Sequence, residues 1–179
     1  MKKFLSSRRL RDSSGSAAIE FAFVAPVFFM FLFGIIEGGI IFFGQSALSN
    51  ATQDAARVIR TGQAQGGAID VGAFKAKVCD GITGMFSNCA GNLQVDVQNY
   101  PAGFAASQSS PLDGNGNLNP NQNRYNVGNA CDVVIVRAFY KYTIVTPMMW
   151  PFLAGNASGI KYLTAAAAFR NEPFGANAC

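Results

Sequence analysis

The chain has 179 residues and no histidine. That absence removes the Ser-His-Asp and Cys-His nucleophile systems and every histidine-ligated zinc centre. Any catalysis would rest on carboxylates, and Asp70, Asp80, Asp96, Asp113 and Asp132 stand singly in the sequence. None is paired as a general acid and base would be, and their neighbourhoods read as turns and helix caps. Charge is scarce too, at 13% of residues. Residues 1–15 hold five basic side chains (Lys2, Lys3, Arg8, Arg9, Arg11) against Asp12, a net of +4 that equals the net charge of the whole chain. The remainder is balanced, so the basic pI describes a flank rather than a basic surface, and nucleic acid is not an expected partner.

Cysteine is limited to Cys79, Cys89, Cys131 and Cys179, all beyond residue 65. No Cys-x-x-Cys spacing exists, so no metal or other cofactor is expected. The distribution fits disulfides in an oxidising compartment. Four cysteines permit three pairings. The neighbours, Cys79 with Cys89 and Cys131 with Cys179, form the expected set.

One long apolar run is present. Phe21 to Ile36 carries no charge, Glu37 interrupts, and apolar character resumes from Gly38 to Gly44. These residues, about 21–44, make roughly 36 Å of helix, enough for one bilayer crossing. The basic flank places the N-terminus on the cytoplasmic side. Glu37 follows Glu20 by seventeen positions, roughly 25 Å along a helix, so each carboxylate can sit near one face of the membrane. Gly34 and Gly38 form a Gly-x-x-x-Gly step that would let another helix approach around Glu37.

Beyond the membrane, Ala47, Leu48, Ala51, Ala55, Val58 and Ile59 recur at helical spacing, so the helix is expected to continue to about Gly62. Val71 to Phe86 reads as a second, shorter helix. Leu93 to Gln98, Val133 to Val145 and Ile160 to Arg170 read as strands. Pro147 and Pro151 bracket a turn or short helical crossover. Asp113-Gly-Asn-Gly-Asn117 imitates a calcium loop, but Leu118 and Arg124 occupy positions where glycine and glutamate are needed. It reads as a turn within a flexible insert of about residues 101–130. The organisation is thus a leader (1–15), a helix (16–62) and a small domain (63–179), in an α+β class with a three-stranded, mostly antiparallel sheet, the general shape of a pilin.

Gly15-Ser-Ala-Ala-Ile-Glu20-Phe21 lies where the cations end and the apolar run begins, and reads as a cut site. With Phe33-Gly-Ile-Ile-Glu37-Gly38, the segment Asn50-Ala-Thr-Gln-Asp-Ala-Ala-Arg57, and Thr164 to Pro173, it resembles the TadE-like proteins of the tight-adherence (Flp) pilus system. The resemblance implies a minor pilin or pseudopilin, a structural or initiator subunit rather than an enzyme. Its expected partners are the inner membrane, a prepilin peptidase that cuts after Gly15, other pilins and the assembly platform, with no small-molecule substrate. The implied domain is periplasmic, and the implied roles are adhesion and biofilm formation. Gly15, Ser16, Glu20 and Phe21 are the processing residues, and Glu20, Glu37, Gly34 and Gly38 the helix-assembly residues. Once Ser16 is the N-terminus, its amine lies one helical turn from Glu20 and can pair with it. Glu20→Gln should then harm assembly more than Glu37→Gln. Two other readings use the same residues: an uncleaved anchor presenting a periplasmic binding module, and a secreted domain whose signal peptide is cut after Ser49.

Overall fold

The computed structural model describes residues 14–101, 110–119, 123–146, 148–154 and 156–175. Helix α1 spans Ser14–Arg60, followed by a 3-10 turn at Gln65–Gly67, α2 at Val71–Asp80 and α3 at Cys89–Asn92. Strand β1 (Leu93–Tyr100), β2 (Val133–Thr143), α4 (Trp150–Leu153) and β3 (Ile160–Arg170) complete it. The three strands form one antiparallel sheet in the order β1-β2-β3, with Asp96 opposite Arg137 and Arg137 opposite Ala166. The α+β expectation holds.

Helix α1 is long and apolar enough to cross a membrane. Pro26 lies inside it, which forfeits one backbone hydrogen bond without ending the helix. The helix stops where Gly62, with φ of 80°, lets its N–H bond to Ile59 O while Gln63 N–H bonds to Val58 O; only glycine takes that conformation cheaply.

The two halves of α1 differ. From Gly15 to Phe33 its side chains are exposed or half-buried. From Gly34 onward one stripe is covered: Gly34, Glu37, Ile41, Gly44, Leu48, Ala51, Ala55 and Ile59. These positions recur every three or four residues, which keeps one helix face on the domain. Against it lie Phe74, Val78 and Ile82, and the sheet face built from Val95, Val97, Val134, Val136, Ala138 and Leu163.

Three boundaries differ from expectation. Helix α2 ends at Asp80 rather than Phe86, because residues 81–85 turn and the Cys79–Cys89 disulfide, with Cα atoms 5.7 Å apart, draws the chain back. Strand β2 ends at Thr143 rather than Val145, since the N–H groups of Val145 and Thr146 are taken by Glu37. Part of the 101–130 connection is paired to the sheet, with Val97 N–H donating to Arg124 O and Asn126 N–H to Val97 O.

The disulfide loop carries Phe86, which stacks on Tyr140 at 4.8 Å and meets Tyr142 edge-on at 5.9 Å. Phe86 also touches α1 at Gly44, where an added Cβ would come within 2.3 Å of its ring. In the chain-entropy account, closing this short loop contributes about 3 kcal/mol. Cys131 is disulfide-bonded as well; its expected partner Cys179 lies outside the described residues.

Candidate functional site

Two places on α1 hold the candidate residues, and they differ in how far the protein itself completes them. The first is the junction at Gly15. Gly15 already lies within the helix and has open space around it. Ser16 Oγ donates to Glu20 Oε1 at 3.3 Å, one turn along. Phe21 is 68% exposed. The amine that cleavage would create at Ser16 therefore starts on the same helix face as the Glu20 carboxylate. The leader, residues 1–13, lies outside the described residues.

The second place is Glu37, in the apolar run yet only 3% exposed. Its Oε1 accepts from the Val145 N–H at 2.5 Å and the Tyr142 hydroxyl at 3.4 Å, and its Oε2 accepts from the Thr146 N–H at 2.8 Å. Burial together with the adjacent carboxylate pushes the Tyr142 phenol above its ordinary value, so it remains a donor. One turn earlier, Gly34 faces Met149, whose Cε would lie 2.8 Å from an added Cβ. Gly38 has nothing within 4 Å. Of the Gly-x-x-x-Gly pair, one member is thus occupied within the same chain and one is open. Glu37 is engaged with the β2–β3 connection of its own chain.

Sequence reasoning did not anticipate Tyr142, Val145 and Thr146 as partners of Glu37. The available signal was the carboxylate itself, because an ionised group in an apolar helix must have found donors. Nor did it anticipate Gln45, whose amide bonds both backbone groups of Thr164 on the edge strand: its side-chain nitrogen donates to Thr164 O, and its oxygen accepts from Thr164 N–H at 3.1 Å.

The scattered aspartates resolve case by case. Asp70 caps α2, accepting from Ala73 N–H at 2.7 Å. Asp113 accepts from the N–H groups of Asn115 and Asn117, so this carboxylate closes its own turn. Asp96 departs from the turn expectation. It is fully buried, bonded to its cross-strand partner Arg137 at 2.5 and 3.1 Å, to Arg124 Nε at 3.3 Å and to Gln98 at 2.6 Å. The two positions are directly opposed in register, which puts the charges in contact. No cluster of three or more His, Cys, Asp or Glu able to hold a metal occurs among the described residues.

No curated protein and no solved structure matches the chain. A protein-family model does: residues 15–57 match the model described as TadE-like protein. The match begins at Gly15, runs through Glu20, Glu37 and the covered stripe, and ends at Arg57; the C-terminal likeness at Thr164 to Pro173 lies outside it. Over that stretch, from the start of the apolar run to the last turn of α1, the chain is similar to the TadE-like proteins.

Proposed function

We propose that the protein is a minor pilin or pseudopilin of a tight-adherence (Flp-type) pilus, cut after Gly15 by a prepilin peptidase and used as a structural or initiator subunit rather than as an enzyme. The observation that carries this reading is the coincidence of the family match with the helix anatomy. The match starts at the junction residue, and the half-helix that follows is apolar and left exposed by the described residues. Exposed Phe21, Phe23, Phe28, Phe31 and Phe33 suit lipid before assembly and neighbouring helices after it. On this reading the C-terminal domain lies in the periplasm and the processing residues are Gly15, Ser16, Glu20 and Phe21.

Glu20 is the residue with most to do after the cut. An ammonium at Ser16 and the Glu20 carboxylate attract strongly in apolar surroundings, and either alone costs several kcal/mol. In a bundle the carboxylate can instead take a neighbour's amine and set the axial register. Glu20→Gln should leave membrane insertion and the folded domain intact while sharply reducing pilus number. Cleavage is followed in parallel on immunoblots, because the peptidase itself can read this position. Normal pilus numbers in the variant would remove the charge-pairing mechanism.

The packing speaks against a signal peptide cut after Ser49. Such a cut would strip Glu37 from Val145 and Thr146, Gln45 from Thr164, and Gly44 and Leu48 from the domain core.

A further inference from the structure

The connection from β2 to β3, residues 144–159, contains no Asp, Glu, Lys or Arg. Four of its large apolar side chains face outward: Val145, Met148, Trp150 and Phe152, the last 78% exposed. Met148 holds a left-handed backbone, φ of 67°, rare for a residue with a side chain of this kind. A soluble surface seldom leaves such a group uncovered.

Where the connection meets α1 identifies what covers it. Met149 packs on Gly34, and Glu37 holds Val145 and Thr146. With Glu37 near the outer face of the bilayer, Gly34, three positions earlier, lies about 4.5 Å deeper along the helix axis. The contact therefore lies inside the stretch that reads as membrane-spanning. On the free side of α1 at this level, Ile35, Ile36, Ile40, Phe42 and Phe43 are exposed as well. An apolar groove of about 250 Å³ between Phe33, Ile36, Ile40 and Val145 joins the two surfaces.

Much of the connection's described backbone finds its partners within the chain. Irregular chain is tolerated at membrane depth only where its polar groups are satisfied by protein. Ile144 N–H donates to Gly159 O, and the next two N–H groups donate to Glu37. Those of Met149, Phe152, Leu153 and Ala154 donate to Thr146 O, Met149 O, Met149 O and Trp150 O. Pro147 and Pro151 have no N–H to satisfy.

We propose that residues 144–153 are a second membrane contact, a wedge whose outward side chains sit at the headgroup and outer acyl level of the bilayer that α1 crosses, with Trp150 as its interfacial anchor. This rests on the reading of α1 as a membrane span. Glu37 is the clamp that ties wedge to helix: it satisfies two amides that would otherwise enter hydrocarbon bare, and they satisfy it. Two contacts fix the height of the domain and the rotation of α1, and with them the helix face left for other subunits.

Trp150 is the only tryptophan in the chain, so its fluorescence reports the wedge without labelling. The full chain is reconstituted in phosphatidylcholine and phosphatidylglycerol vesicles, and quenching by acyl-brominated lipid is compared with quenching by aqueous iodide. The expected result is blue-shifted emission, quenched strongly by brominated lipid and weakly by iodide, with both preferences lost in Met148→Asp/Phe152→Asp. Circular dichroism must show that this variant keeps the native fold; if it does not, Phe152→Ser replaces it. Emission open to iodide and untouched by brominated lipid overturns the wedge. So does emission shielded from both quenchers, which would mark a protein contact such as a second copy of the chain. Phe28→Trp in a Trp150→Phe background tests the membrane span separately. If that probe is quenched by brominated lipid and Trp150 is not, the wedge fails and the span stands; if neither is, the span itself fails.

Discussion

Two glutamates on one helix, seventeen positions apart, do different work. Glu20 lies on the surface and accepts from the Ser16 hydroxyl, whereas Glu37 is enclosed and accepts from two backbone amides and a phenol. Their replacement should separate accordingly. Glu37→Gln keeps the shape but removes the charge and turns an amide group toward backbone N–H donors, so about 1–3 kcal/mol of stability should be lost. Thermal unfolding of the detergent-solubilised full chain would register this as a lower Tm, with Glu20→Gln unchanged beside it. Equal Tm values for all three proteins would mean that Glu37 does not hold the domain to the helix. With the lower Tm, a fall in pilus number in Glu37→Gln follows from the folded domain, not from a pairing between subunits.

At the scale of the elements, α1 shows what periodicity can and cannot disclose. From Ala47 to Ile59 polar residues alternate with apolar ones, and the covered face is legible in the sequence. From Gly34 to Gly44 nearly every residue is apolar, so the same stripe continues with nothing to mark it except Glu37 and the glycines. The three strands were legible for the converse reason, β-branched and aromatic runs bounded by turn residues. The end of β2 was not, because a side chain 108 positions away in sequence takes the Val145 amide. The glycines yield a paired test. An alanine Cβ at Gly44 would fall 2.3 Å from Phe86, itself stacked on Tyr140, whereas Gly38 has open space. Gly44→Ala should lower the unfolding free energy by about 1–3 kcal/mol. Gly38→Ala should leave it unchanged or raise it by up to about 1 kcal/mol through helix propensity. Denaturant unfolding measures both, and the reverse order would contradict the packing of the disulfide loop against α1. Leucine at Gly38 also becomes the cleaner probe of helix association, since at Gly34 it would first displace Met149.

The described molecule is a helix of which one half is buried by its own domain and the other half is left exposed among the described residues. That division explains the thin core, built largely from one stripe of α1, α2 and one sheet face, and why a disulfide and an aromatic stack reinforce the α1 side near Gly44. It also sets what the molecule offers: an exposed apolar rod beginning at the proposed processing junction, carried by a domain fixed to its far end. The central claim is that this rod is released from its leader at Gly15 and then assembled. The most direct measurement is the N-terminal sequence of the protein purified from membranes and from sheared pili. The account predicts Ser16-Ala17-Ala18-Ile19-Glu20; a chain beginning at Met1 would make it an uncleaved anchor, and one beginning at Asn50 would contradict the account altogether.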